Sequence, residues 1–334
     1  MKLSATQQHR LNLELKPIFI GQLIVLDELT QPAFSFEQGE YKLAHAAGKS
    51  LTKEFIAHYA KNIGKNIFVY QEDYRSINFS LKDELTKMTR SLSIGDITKN
   101  ASRQVNFLTM QMANIYKNPY DDELLSHQFQ NSKNLSTLLL NNKGIHRDIY
   151  HSLAKQSFHY THKQPMLSSI LVLSFMQSLK QFSDKEIQNF FLASYFKDIG
   201  MSFIPREKFE LSNLSDFDKT LFSEHSENSM KLLNGRVPLN QGQLNLIKNH
   251  HYLNLKIQAL VRNEVYHADQ EFLSGIESAI VSTLDILVAM TSERPYREAL
   301  SHYKALEFLK RVISDEYPQE FKFLVVFIKN FFQS

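Results

Sequence analysis

From about residue 79 onward the chain reads as one amphipathic segment after another, each parted from the next by a short polar break. Such segments bury one stripe against their neighbours, and a succession of them describes a helical bundle. Glycine and proline, which interrupt helices, number only 10 and 8 in 334 residues, while Leu, Lys, Glu and Gln are common. With 25 Phe, 14 Tyr and no Trp, the core is expected to be packed largely with Phe and Leu.

Residues 15 to about 75 have a different texture. The runs "KPIFIGQLIVL" and "KNIFVYQED" carry the Ile, Val, Phe and Tyr content of strands. Between them, "SLTKEFIAHYAKNIG" offers Ser50 and Thr52 as caps. Phe55, Ile56, Tyr59 and Ile63 follow at helical spacing, with Gly64 placed to close the helix. This is the pattern of a small α/β module. The apolar run from Pro17 to Leu26 is ten residues, too short to span a bilayer, and is read as a strand.

The length allows two domains, each with its own core. Turn signals at Asn118-Pro119 and at Asn141-Asn142-Lys143-Gly144 bracket the expected boundary. The expected organisation is a module with leading helices over 1–120, a linker over 121–148 and a helical domain over 149–334. The fold class is therefore mainly α, a C-terminal bundle with a small N-terminal α/β domain.

Charge is spread evenly, 38 basic residues against 35 acidic, and no dense Lys/Arg block marks a nucleic-acid groove. The absence of cysteine excludes disulfides, thiolate metal sites and a Cys nucleophile, and fits a cytoplasmic location. No membrane span and no nucleic-acid partner are expected.

Histidine and aspartate stand out in the second half, at His159, His162, Asp198, His225, His250, His251 and Asp285. Adjacent helical residues point about 100° apart, so His250 and His251 face one target only if it sits between them. Helices in a bundle can bring such distant positions together. Imidazole and carboxylate suit Fe, Mn, Zn or Ni, and a carboxylate can bridge two ions about 3.5–4 Å apart. Spacing alone leaves each histidine equally readable as a surface residue or a satisfied core residue.

Four stretches sharpen the reading: "YFKDIGMSFIP" (Tyr195 to Pro205), "EHSENSMKLL" (Glu224 to Leu233), "NHHY", and "LDILVAMTSERPYREALS" (Leu284 to Ser301). In this order they resemble the HD-GYP family, HD-domain phosphohydrolases that hydrolyse cyclic di-GMP. The last stretch is the most specific, and the resemblance covers roughly residues 150 to 330. It implies an HD-type bundle and a centre of two divalent metal ions, with iron expected first and manganese or another divalent metal as alternatives. It implies His162, Asp198, His225, His250, His251 and Asp285 as metal ligands. Asp198 would bridge the ions and serve catalysis, and Arg294 and Arg297 would contact substrate phosphates. Without the resemblance, both arginines read as ordinary surface or helix-cap residues. Cyclic di-GMP or a related nucleotide and signalling proteins are the implied partners.

The sequence also departs from the family. Lys197 replaces the histidine of the HD pair, and an ammonium has three donors and no lone pair. It ligates after losing a proton, stands in for a cation beside Asp198 and Asp285, or is simply a solvent-facing lysine on a helix. Met201 replaces a lysine that helps with phosphate, and Phe158 replaces a glutamate that holds a third metal, so two metals are the upper limit. No Gly-Tyr-Pro follows the histidine pair in "HHYLNLKIQALVRNEVYHADQEFLSG". The expectation is an HD-GYP-like metal-binding protein with weak or no turnover and a signalling or binding role. The alternative is an active cyclic di-GMP phosphodiesterase with a dinuclear centre.

Overall fold

The computed structural model describes residues 11, 14–20, 23, 26, 28–62, 66–90, 94–262, 264 and 275–333. The chain divides into two compact units, Met1–Gly95 with Met110–Asn114, and Asp96–Thr109 with Ile115–Ser334. The stretch 121–148, expected to carry the boundary, holds a helix, a 3-10 turn and the start of a further helix.

In the first unit the strands are β1 (Leu15–Phe19), β2 (Glu28–Leu29), β3 (Ala33–Glu37), β4 (Glu40–His45), β5 (Lys49–Ser50) and β6 (Asn66–Tyr70). Helices α1 (Lys53–Asn62) and α2 (Gln71–Arg90) accompany them among the described residues. Four strands pair in the order β1-β6-β3-β4, and β2 pairs with β5 separately. The β1/β6 ladder is antiparallel, running from Leu15↔Tyr70 to Phe19↔Asn66. Ile18, Ile67 and Val69 are buried, as β-branched side chains on a packed sheet face should be. Thr52 Oγ1 accepts from Phe55 N at 3.1 Å and so caps α1.

The β3–β4 hairpin was not singled out in the sequence. It turns on Gln38 and Gly39, both at positive φ (53° and 83°), the signature of a tight two-residue loop. A glutamine at the first position weakens the usual Asn-Gly signal. The strand read from Pro17 to Leu26 ends at Phe19; Ile20 and Leu23 are buried beyond it, and residues 21–22 and 24–25 lie outside the described residues, as does Gly64.

The second unit is built from α3 (Ile97–Lys117), α4 (Asp122–Asn141), α5 (His146–Ala154), α6 (Tyr160–Leu179), α7 (Asp184–Phe196), α8 (Asp216–Ser223) and α9 (His225–Leu233). It continues with α10 (Gln241–Asn249), α11 (Leu253–Arg262), α12 (Ile276–Thr291), α13 (His302–Ile313) and α14 (Pro318–Gln333). Helix α6 is buried without a break from Pro165 to Gln177, and α12 is buried from Ala279 to Val288 at every position but Ile286. Helices that are apolar nearly all round belong in the interior, and against this pair pack α4, α5, α7, α11, α13 and α14. Sharp helix starts set the others in place: Ser183 and Glu186 close a capping box on α7, and Asn240 and Gln243 close one on α10. The architecture is a helical bundle accompanied by a small N-terminal α/β unit. Among the described residues no helix is long and apolar enough to cross a membrane.

Candidate metal centre

Asp198 lies between the end of α7 and a 3-10 turn, Ile199–Phe203. That turn presses against α9 so closely that a Cβ at Gly200 would collide with the His225 carbonyl and the Ser229 amide. Gly200 N instead donates to Ser229 Oγ at 2.8 Å. The close approach permitted by glycine is what brings Asp198 to His225, the first residue of α9. His250 follows the last turn of α10, and its carbonyl accepts from Ser282 Oγ of α12 at 2.6 Å. From α3, Tyr116 Oη donates to the Asp198 carbonyl at 2.9 Å.

Both buried imidazoles have an assigned tautomer. His225 Nδ1 lies 2.5 Å from Phe222 O and His250 Nδ1 lies 2.6 Å from Ile247 O. A carbonyl only accepts, so each Nδ1 carries the proton and each Nε2 presents a lone pair. His225 Nε2 and His250 Nε2 stand 3.3 Å apart, and they lie 3.3 and 3.2 Å from Asp198 Oδ1. His251 Nε2 is 3.1 Å from His225 Nε2. One ligand atom from each of Asp198, His225, His250 and His251 falls within 4.8 Å of all the others.

This donor set fits a metal ion. Bare lone pairs turned toward one another repel unless an electrophile lies between them. Metal–ligand bonds of about 2.0–2.2 Å separate tetrahedral ligand atoms by roughly 3.3–3.6 Å and adjacent octahedral ones by roughly 2.8–3.1 Å. Four of the six pairwise separations, 3.1 to 3.3 Å, fall across these ranges, and all six are within 4.8 Å. Burial depresses the His250 pKa and holds that of His251 well below its usual value, helped there by His250 and His225, so both rings are neutral and able to ligate.

The other oxygen of Asp198 faces a different partner. Lys197, fully buried, donates from Nζ to Asp198 Oδ2 and, at 2.9 Å, to Asp285 Oδ1. Burial alone would lower the lysine pKa, but the two carboxylates overcome it and raise it. Burial likewise works to raise Asp198, yet the Lys197 ammonium holds it well below the usual carboxylate range. Lysine is thus an ammonium clasped between two acidic side chains. Asp285 Oδ1 also accepts from Ser168 Oγ at 2.8 Å and Gln164 Nε2 at 2.9 Å.

The remaining expected residues are placed around this core. Asp285 joins Lys197 rather than the four-residue cluster. His162 also stands outside that cluster, its ring edge-on to Tyr116 at 4.9 Å and 5.8 Å from His159. Arg294 lies over the Tyr160 ring at 4.1 Å and donates to Gln164 Oε1. A polar chain therefore runs from Asp198 through Lys197, Asp285 and Gln164 to Arg294. Arg297 turns elsewhere: its Nη2 donates to Ala289 O at 2.6 Å, at the C-terminal end of α12, where a cation offsets unpaired carbonyls. Met201 packs beside Tyr160, Ile204 and Phe209. Residues 265–274, which follow the histidine pair where no Gly-Tyr-Pro occurs, lie outside the described residues.

Sequence reasoning missed Gly200, Gln164 and Ser168. The latter two are four residues apart and share one face of α6, a spacing that offered a signal, but neither residue type points to a metal site by itself.

No family model matches the sequence, and no curated protein matches it. Among solved structures it is similar to Bd1817, an HDG"Y"P protein from Bdellovibrio bacteriovorus, with a TM-score of 0.64 and 14% sequence identity. The match covers 95% of this chain and 100% of that one. The likeness is one of fold, and it gives this chain an HD-GYP-like architecture.

Proposed function

We propose that the chain is a metal-binding protein related to the HD-GYP phosphodiesterases, with weak or no turnover of cyclic di-GMP and a signalling or binding role. One divalent ion, iron first and manganese as the alternative, would be held by Asp198, His225, His250 and His251. The observation that carries this reading is the buried Lys197 ammonium, 2.9 Å from Asp285 and bonded to Asp198. It supplies a fixed positive charge where a second ion would otherwise share Asp198.

The chemical consequence follows from charge and lone pairs. A bound ion supplies Lewis acidity to a phosphate and lowers the pKa of water. In a two-metal centre a second ion would clamp the opposite oxygen, whereas an ammonium offers hydrogen bonds but no open coordination position. Asp198 here divides its two oxygens between the histidine cluster and Lys197, so it orients both. His225 and His250 are locked by their backbone hydrogen bonds with Nε2 toward the ion. Arg294, steadied by Tyr160 and Gln164, is the residue suited to a phosphate, as planar guanidinium pairs with oxyanions. Arg297, spent on the end of α12, is left out of that role.

Incubation of the metal-loaded protein with cyclic di-GMP, followed by separation of nucleotides, tests the reading. Retention of intact cyclic di-GMP alongside measurable binding is expected. Steady formation of pGpG or GMP would instead establish the active phosphodiesterase.

A further inference from the structure

The second unit carries a cleft of about 690 Å³ that the metal centre does not use. Its volume falls within the range of roughly 300–1,000 Å³ typical of small-molecule sites. Lys163 and Leu167 line it from α6. Gln164 and Ser168, which serve Asp285, follow them by one residue each and so lie about 100° round the same helix. The cleft is therefore a neighbour of the centre on a different helix face.

Its chemistry is divided in two. One part is cationic: Lys155 and Lys163 face a single acidic residue, Glu293, and His302 opens α13, whose N-terminal end adds partial positive charge. Lys163 Nζ donates to Ala154 O and Gln156 O, both at 3.1 Å, which anchors the ammonium at the end of α5. Lys155 also lines the cleft and is exposed. The other part is aromatic: Tyr150, Phe158 and Phe332 line the wall, with Phe332 stacked on His302 at 3.9 Å and 30°. Flat apolar walls accept a ring by stacking, and the lysines accept an anion.

We infer that this cleft is a second ligand site, separate from the metal centre, for an aromatic organophosphate of nucleotide size. The ring would lie against Phe158 and Phe332, and the phosphate would be held by Lys155 and Lys163.

Calorimetric titration of the metal-loaded 334-residue chain with GMP tests it, with guanosine as a ring without phosphate and inorganic phosphate as charge without a ring. GMP is expected to bind, with both fragments at least about tenfold weaker, guanosine for want of the charge-assisted contact and phosphate for want of ring stacking. Lys155→Glu, an exposed substitution that leaves the core intact, should weaken GMP by about tenfold or more on the same grounds. Binding should persist within about twofold after metal is stripped by a chelator, and in His251→Ala. No GMP binding at millimolar concentration would overturn the assignment. So would binding indifferent to Lys155→Glu, and so would binding that disappears with the metal or in His251→Ala, since the nucleotide would then sit on the ion.

Discussion

Lys197 Nζ and Asp285 Oδ1 meet at 2.9 Å in the interior of the helical unit, with no part of the lysine exposed. Two buried carboxylates close to one ammonium are tolerable only as a set. Removing the cation leaves Asp198 and Asp285 facing each other without compensation, the situation that costs about 3–5 kcal/mol when one partner of a buried pair is deleted. Lys197→Met should therefore destabilise the metal-free protein by roughly that amount. Denaturant unfolding of the metal-free wild type and variant measures it; equal midpoints would show that the lysine is not compensating the pair.

Restoring a lone pair at the same position should have a different outcome. Lys197→His puts an imidazole beside Asp198 and Asp285, the donor type that the HD-GYP resemblance places there. The expected result is gain of a second metal equivalent, measured by elemental analysis after loading with excess ion. Unchanged stoichiometry would mean that Asp285 and His162 cannot complete a second site.

Gly200 sets the approach of the Asp198 turn to α9, where a methyl group has no room. Gly200→Ala should cost about 1–3 kcal/mol in stability, the range for overpacking, and should weaken metal binding by displacing Asp198 from His225. Thermal unfolding and metal titration read the two effects; a variant with native affinity would show that the turn does not position the ligand.

Acid should weaken the bundle through a residue away from the centre. Burial lowers the pKa of His146 first of all; its hydrogen bond to Leu139 O works the other way, and nearby Lys143 adds to the lowering. Unfolded histidine takes up its proton near pH 6.5, while the folded ring stays neutral to a lower pH, so the unfolded chain binds more protons in that window. Stability is present above about pH 6.5 and declines as pH falls toward the folded value. Chemical denaturation at pH 7.5 and 5.5 should show the decline, reduced in His146→Gln. An identical pH dependence in the variant would assign the effect elsewhere.

The bundle was legible because helical periodicity persists from about residue 79 with few breakers, whereas the all-round burial of α6 and α12 departs from the amphipathic pattern expected there. The strands β1 and β6 were legible from Ile, Val and Phe, whereas the Gln38-Gly39 hairpin carries only half of a turn signal. For the candidate site, the family resemblance pointed to six donors, of which Asp198, His225, His250 and His251 come together, but it could not say how they divide. That Asp198 splits its oxygens between imidazoles and an ammonium, and that Arg297 caps a helix, depends on side-chain directions set by tertiary packing. Gly200 was invisible for the same reason, since its importance lies in what it touches across the interface with α9.

The most direct test of a single-ion centre beside a lysine cation is elemental analysis of the protein purified without added metal or chelator, with His250→Ala/His251→Ala as its control. The account predicts close to one equivalent of a divalent transition metal per chain, lost in the double variant. Two equivalents in the wild type, none after reloading, or full retention in the double variant would contradict it.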